Sequence, residues 1–372
     1  MVKKIWLSPP HLTGEEQKYI AQAFEENWIA PIGTHIDKFE AELAHYINTS
    51  KKVVALNSGT SAIHLALKLA GVKNGDVVIC QDFTFAASVN PVLYLGGIPV
   101  FVDSEKDTWN MCPHLLEIAI QERLLNGEKL GAIVVVHSYG MPAKMKEICE
   151  LGKKYKIPII EDAASALGSK LEKKYCGTFG DFSVISFNGN KIITTSGGGI
   201  LICNSEEQKE KAIFYASQAQ EKAPHYQHAE IGYNYRLSNV LAGIGRGQLE
   251  VLNKRVQKRR ANYLFYKNAL QSLNGIDVLE EPNGMFSNRW LTCILATSFK
   301  NREKIRRALA AEHIESRPLW KPMHTQPIFK ECSSYLNGVS EDLFARGLCL
   351  PSGSSLSIED LERIIRIIKS CF

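Results

Sequence analysis

Residues 157–168 read IPIIEDAASALG, and residues 177–199 read GTFGDFSVISFNGNKIITTSGGG. The apolar run Ile157-Pro158-Ile159-Ile160 has the length and bulk of a buried strand, and Asp162 follows just after it. A second strand-like run, Phe182-Ser183-Val184-Ile185-Ser186-Phe187, ends four residues before Lys191. A buried strand that delivers an acid at its carboxyl end, beside a loop that delivers a lysine, suits a pyridoxal phosphate site. The lysine carries such a cofactor as a Schiff base. The carboxylate keeps the pyridine nitrogen protonated, so that the ring acts as an electron sink.

That chemistry needs a phosphate site upstream. Val53-Val54-Ala55-Leu56 reads as a short buried strand, Asn57-Ser58-Gly59-Thr60-Ser61 as a turn and helix cap, and Ala62 to Leu67 as the opening of an apolar helix. Free N–H groups at a helix start, helped by hydroxyls, bind phosphate. Alone, such a cap only starts a helix. In the order phosphate loop, acid, lysine it completes the set.

From Val53 onward, short apolar strands alternate with helical stretches: VVAL, a helix at 61–71, DVVICQ, a helix near 86–96, PVFVD, a helix at 114–125, GAIVVVHSYG, a helix at 144–154, then IPIIEDAA. This alternation predicts βαβ units, a mostly parallel sheet and an α/β fold, with ligands at the carboxyl ends of the strands. Asp82, Asp103, His137 and Asp162 all fall at or just after strand ends. His137 reads either as a satisfied strand-end histidine or as a site residue. GGGILIC at 197–203 is a further strand, and a long helix is expected from about 254 to 273. The chain is thus divided into a large domain, 1–250, with an N-terminal arm, 1–36, and a smaller α+β C-terminal domain, 251–372. In the arm, NWIAPIG (27–33) is apolar yet broken by Pro and Gly, and it either packs under another element or lines a pocket or subunit interface.

With 372 residues, 45% of them hydrophobic, the chain can bury a large core. A net charge of +5 spread along it argues against nucleic-acid binding and accommodates an anionic small substrate. Nine cysteines without a C-x-x-C pair read as reduced thiols, with no zinc or other metal site expected. There is no apolar leader and no apolar run of about eighteen residues, so no membrane association and a cytoplasmic location are expected.

SFNGNK (186–191), EDAASALG (161–168) and GYNYRLSN (232–239), taken together, resemble the DegT/StrS-type sugar aminotransferases, a branch of the fold-type I (aspartate aminotransferase-like) pyridoxal phosphate enzymes. NWIAPIG, SFNGNKIITTSGGG, GYNYRLSNVLAGIG, SNRWLT (287–292), SRPLWKPMHTQPIF (316–329) and LCLPSG (348–353) are similar to one subgroup. Its members are the C4 aminotransferases of UDP-linked 4-keto-6-deoxy-N-acetylhexosamines, as in the bacillosamine pathway.

The resemblance implies that Lys191 binds the cofactor covalently and Asp162 partners its ring nitrogen. Ser58, Gly59, Thr60 and Ser61 would hold the phosphate, with Ser186 adding a hydroxyl and Asn188 and Ser165 nearby. Phe85 would stack on the ring, unless it is a plain core aromatic. Asn234 would reach the phosphate of the other subunit, giving a homodimer with shared active sites, unless it only holds a loop. Trp28, Ile29, Arg236, Arg317 and His324 are the substrate-binding candidates. Arg317 and His324 either receive a nucleotide diphosphate or pack the small domain. L-Glutamate would be the amino donor and pyridoxamine phosphate the intermediate carrier. One departure stands out: relatives commonly place Gln, His or Glu three residues after the acid, where this chain has Ser165.

Three rivals are weighed. A sugar dehydratase of the same fold would carry histidine in place of Lys191. A GDP-4-keto-6-deoxymannose C4 aminotransferase, of the perosamine type, shares the lysine motif. A non-catalytic pyridoxal phosphate-binding regulator would need a DNA-binding module that the first fifty residues do not supply.

Overall fold

A computed structural model describes residues 3–372; Met1 and Val2, the start of the expected arm, lie outside the described residues. Five strands build the centre: β1 (Lys52–Leu56), β2 (Val77–Gln81), β3 (Ile98–Val102), β4 (Leu130–Val136) and β5 (Ile159–Asp162). The strands Phe182–Ser186, Gly199–Cys203 and Ser334–Tyr335 complete an eight-stranded sheet. Its order is β1, 199–203, 182–186, β5, β4, β2, β3, 334–335, and only 199–203 runs antiparallel to its neighbours. β-Branched runs such as Ile133-Val134-Val135-Val136 fit this place, since a parallel sheet is covered on both faces and all four of these residues are buried.

Helices cover those faces. Gly59–Leu69 packs Ala62, Leu65, Ala66 and Leu67 into one core, and Phe39, Leu43 and Ile47 of the Thr34–Tyr46 helix and the residue after it join the core on the other side. A smaller antiparallel sheet, in the order Ile276–Val278, Thr292–Ala296, Gly347–Leu350, Arg317–Pro318, lies against the Leu252–Leu270 and Ile358–Lys369 helices. The last helix starts with a capping box, Ser357 and Asp360 each bonding the other's backbone N–H.

Sequence and structure differ in places. The helix expected near 86–96 is a 3-10 turn, Ala86–Ser88, followed by one short helix, Asn90–Tyr94. Pro91 sits in the first turn, and Gly96-Gly97 follow too soon for a longer helix. The loop 316–329 holds a two-residue strand and two 3-10 turns. Strand pairings and hydrogen bonds join residues on either side of position 250. Ser334–Tyr335 extends the large sheet beside β3, Met285–Phe286 pairs with Lys170–Leu171, and Ile5 bridges to Ile314. The Leu7 carbonyl also accepts the Ser352 N–H at 2.8 Å. Among the described residues no helix is long and apolar enough to cross a membrane, and no grouping of His, Cys, Asp and Glu could hold a metal ion.

Candidate active site

The site lies where β1, β5 and the strand Phe182–Ser186 end. After β1 the chain turns, and the extended Ser58 accepts the Ser61 N–H at 3.0 Å to cap the Gly59–Leu69 helix. The Ser61 hydroxyl donates to Asn57 Oδ1 at 2.7 Å and lies 2.8 Å from Ser58 Oγ. Both serines are thus engaged in holding the turn. The N–H groups of Gly59 and Thr60, in the first turn of the helix, have no intrahelical partner and are available to an anion. Two glycines let the backbone close up here. A Cβ on Gly59 would come within 3.1 Å of Ser186 Cβ, and one on Gly199 would collide with the Ser58 carbonyl carbon at 2.3 Å.

At the end of β5, Asp162 is 4% exposed. Its Oδ2 accepts the Ser88 hydroxyl at 2.7 Å and its Oδ1 the Ala164 N–H at 2.9 Å. Ser88 Oγ is in turn 2.8 Å from Thr84 Oγ1. Lys191 enters from a tight turn in which its N–H bonds the Asn188 carbonyl at 3.0 Å. Its Nζ donates to Ser165 Oγ at 3.0 Å and lies 4.4 Å from the centre of the Trp290 ring. Burial lowers the Lys191 amine to about 8, outweighing the Asp162 charge that pulls it upward. Such an amine is neutral often enough near neutral pH to attack a carbonyl and to carry a proton.

These groups fit pyridoxal phosphate. The cap offers unpaired N–H donors for a phosphate, Asp162 keeps accepting capacity for a ring N–H, and Lys191 is the depressed-pKa amine that a Schiff base requires. Phe85 is 62% exposed, so it is not a core aromatic. Asn188 is exposed, and its N–H faces Ser186 Oγ at 3.4 Å.

The other candidates are distributed differently. Asn234 is exposed, and its carbonyl accepts Asn57 Nδ2 at 3.1 Å, which puts it beside the phosphate cap of its own chain. Arg236 bonds the Ala55 carbonyl at 3.3 Å and lies 3.5 Å from Glu40. Trp28 and Ile29 are half exposed, with the Trp28 carbonyl held by Asn239 at 2.7 Å. Arg317 and His324 do not form a free basic pair. Arg317 turns out to Glu315 at 3.0 Å. His324 is held between Asp82 at 2.8 Å and Glu341 at 3.1 Å, and the bond to Asp82 raises its pKa. His137 is a satisfied strand-end residue: its Nδ1 accepts the Ala143 N–H at 2.9 Å, so its ring proton sits on Nε2, facing Glu161 at 2.8 Å.

Ser88, Tyr139 and Trp290 escaped the reading of the sequence as site residues. Tyr139 stacks on Trp320 at 4.2 Å and on Trp290 at 6.3 Å, forming an aromatic wall beside Lys191. Only the SNRWLT stretch gave any signal for them.

Comparison with known proteins agrees with this geometry. The DegT/DnrJ/EryC1/StrS aminotransferase family matches residues 10–369. The chain is 53% identical to EpsN of Bacillus subtilis (strain 168), a candidate pyridoxal phosphate-dependent aminotransferase, over 100% of this chain and 97% of that one. It is 38% identical to GDP-perosamine synthase of Escherichia coli O157:H7, over 100% and 99%. It is 32% identical to UDP-4-amino-4,6-dideoxy-N-acetyl-beta-L-altrosamine transaminase of Campylobacter jejuni, over 88% and 87%. A solved DegT DnrJ EryC1 StrS aminotransferase from Brucella abortus superposes with a TM-score of 0.89 at 30% identity, covering 96% of this chain and 95% of that one. With a lysine, a carboxylate and a phosphate cap set as this chemistry demands, and with relatives along its whole length, the chain belongs to the DegT/DnrJ/EryC1/StrS aminotransferase family and is a pyridoxal phosphate-dependent sugar aminotransferase of fold-type I.

Proposed function

We propose that the chain transfers the amino group of L-glutamate to the C4 keto carbon of a UDP-linked 4-keto-6-deoxy-N-acetylhexosamine, giving a UDP-4-amino sugar. The observation that carries this reading is the Lys191 amine, 3.0 Å from Ser165 Oγ and under the charge of Asp162, downstream of a helix cap suited to a phosphate. When bound, pyridoxal phosphate supplies the electron sink and carries the amino group between donor and acceptor. Lys191 holds the cofactor and, once displaced by the donor, moves a proton from the donor's α-carbon and later delivers one at the sugar C4. Asp162, fixed by Ser88 and the Ala164 N–H, keeps the ring nitrogen protonated. The Gly59 and Thr60 N–H groups anchor the phosphate, and the wall of Tyr139, Trp290 and Trp320 keeps water from the lysine.

The UDP-sugar assignment is supported by the stretches quoted above and by the Campylobacter relative. The perosamine synthase relative favours a GDP-linked 4-keto-6-deoxymannose as the second reading. A homodimer fits the exposure of Asn234, Trp28, Ile29 and Ile32 around the cap and arm. The test is a visible spectrum of the purified protein, titrated with glutamate and then with either ketosugar. A band that bleaches with glutamate and returns with the UDP-ketosugar is expected. Return only with the GDP-ketosugar would transfer the assignment to the second reading, and no band after adding pyridoxal phosphate would refute both.

A further inference from the structure

The SNRWLT stretch holds Asn288 two residues before Trp290. We propose that Asn288 is a positioning residue for Lys191, tying the backbones of Ser165 and Trp290 together so that the Ser165 hydroxyl and the Trp290 indole form one cradle for the lysine amine. The two groups that Lys191 Nζ touches come from distant parts of the chain, Ser165 from the loop after β5 and Trp290 from the segment leading into the small sheet. Asn288 is fully buried between them and spends its whole side chain on the junction. Its Nδ2 donates to the Ser165 carbonyl and to the Leu167 carbonyl, both at 2.9 Å. Its Oδ1 accepts the Trp290 N–H at 2.9 Å. Its own N–H donates to Ser169 Oγ at 2.9 Å, and Ser169 passes the contact to the Gly140 carbonyl at 2.7 Å.

Space for the amide is reserved. Gly140 has φ +89°, and a Cβ there would sit 2.0 Å from Asn288 Oδ1. The indole is fixed at its far edge too, Nε1 donating to the Asn190 carbonyl at 2.7 Å, one residue before the lysine. The charged or titratable groups around this cradle are Asp162, Arg259 and Tyr139. Arg259 Nη1 bonds the Trp290 carbonyl at 2.6 Å and Nη2 lies 3.5 Å from the Lys191 carbonyl. Tyr139 stacks on Trp290.

This inference rests on Lys191 being the cofactor-bearing residue. After the donor displaces it, the amine has to stay within reach of two different carbon atoms. Ser165 Oγ accepts one of its N–H bonds and so orients it, while the indole face stabilises its charged form. Asn288 fixes the spacing of these two contacts, and an ångström of drift there is costly to a proton transfer.

The test uses the full-length chain, freed of cofactor and acylated with acetic anhydride across a pH series, with Lys191 occupancy read by mass spectrometry. Cofactor is then restored and kcat and KM are measured. The wild-type midpoint is expected at about 8. Asn288→Ala lets both contacts drift and should lower it by about one unit, in the same direction as removing either partner. It should also lower kcat by about 10- to 100-fold with little change in the KM for glutamate. Ser165→Ala and Trp290→Phe each remove a group that favours the ammonium and should lower the midpoint. Asn262→Ala is the control for mere destabilisation, since this buried asparagine clamps the Gly353 carbonyl at 3.0 Å outside the site. An Asn288→Ala midpoint equal to wild type, with a kcat loss no greater than that of Asn262→Ala, overturns the proposal. Should Asn288→Ala not fold, unchanged midpoints in both Ser165→Ala and Trp290→Phe overturn it as well. Borohydride reduction of the wild-type holoenzyme that left the cofactor off Lys191 would instead overturn the reading of Lys191, whatever Asn288 does.

Discussion

Glu161 and Asp162 are consecutive residues of one strand whose side chains leave it on opposite faces, and their surroundings could hardly differ more. Glu161 is fully buried and accepts five hydrogen bonds: His137 Nε2 at 2.8 Å, the N–H groups of Gly177, Phe179 and Gly180 at 2.5, 2.7 and 2.9 Å, and Ser183 Oγ at 2.9 Å. Asp162 accepts two. A carboxylate has about four lone-pair directions, so Glu161 is saturated and can bind nothing further, whereas Asp162 keeps room for further donors. Burial by itself pushes the Glu161 carboxyl up, but His137 and the backbone donors hold it down, to about 2. One acid fastens the 177–183 loop to the sheet. The next is left open to a ligand, with a lysine nearby.

The sharpest way to break this contrast is to remove the lysine on the open side. Lys191→Ala should lower turnover by at least ~10³-fold and abolish borohydride trapping of the cofactor, while the unfolding midpoint stays close to wild type. Asp162→Asn, which cannot hold a ring nitrogen protonated, should cost about 10²- to 10³-fold in kcat with the fold intact. Glu161→Gln should do the reverse, losing about 3 kcal/mol of stability in urea unfolding, because an amide N–H₂ is thrust at backbone donors. If Asp162→Asn proves the less stable of the two and Glu161→Gln the less active, the contrast is wrong.

Acid unfolding sharpens the same point. With a folded pKa of about 2 against 4.5 for the free group, Glu161 stabilises the protein fully above about pH 4.5 and loses that contribution as pH falls toward 2. Glu161→Gln should therefore show a shallower loss of stability over that interval. The smallest effect belongs to Ser88→Ala, which frees one oxygen of Asp162 and should reduce kcat by about fivefold, a loss of about 1 kcal/mol.

The sequence made the parallel sheet and the order of phosphate cap, acid and lysine legible because each is local. Apolar runs such as Ile133 to Val136 announce themselves, and Ser58 to Ser61 cap a helix within one turn. What stayed hidden is assembled across long separations. Ser88 meets Asp162 from 74 positions away, and Asn288 meets Ser165 from 123. Neither partner carries any periodic mark of the other. The helix expected near 86–96 failed for a related reason, since Pro91 and the early glycines leave room for only a turn and a short helix there. Arg317 and His324 look like a basic pair in sequence, but Glu315, Asp82 and Glu341, which neutralise them, are supplied partly by other elements.

The pairing of Ile5 with Ile314 and of Leu7 with Ser352 has a consequence for biogenesis. The segment around Ile5 finds its final partners only after more than three hundred further residues have been made. At about 5–20 residues per second that is on the order of 15–60 seconds of translation. During this wait Ile5, buried in the finished fold, has no place to go, while the central sheet assembles. This segment is thus made long before it is seated, and a ribosome stalled before Ser352 would present it still open to proteases and chaperones.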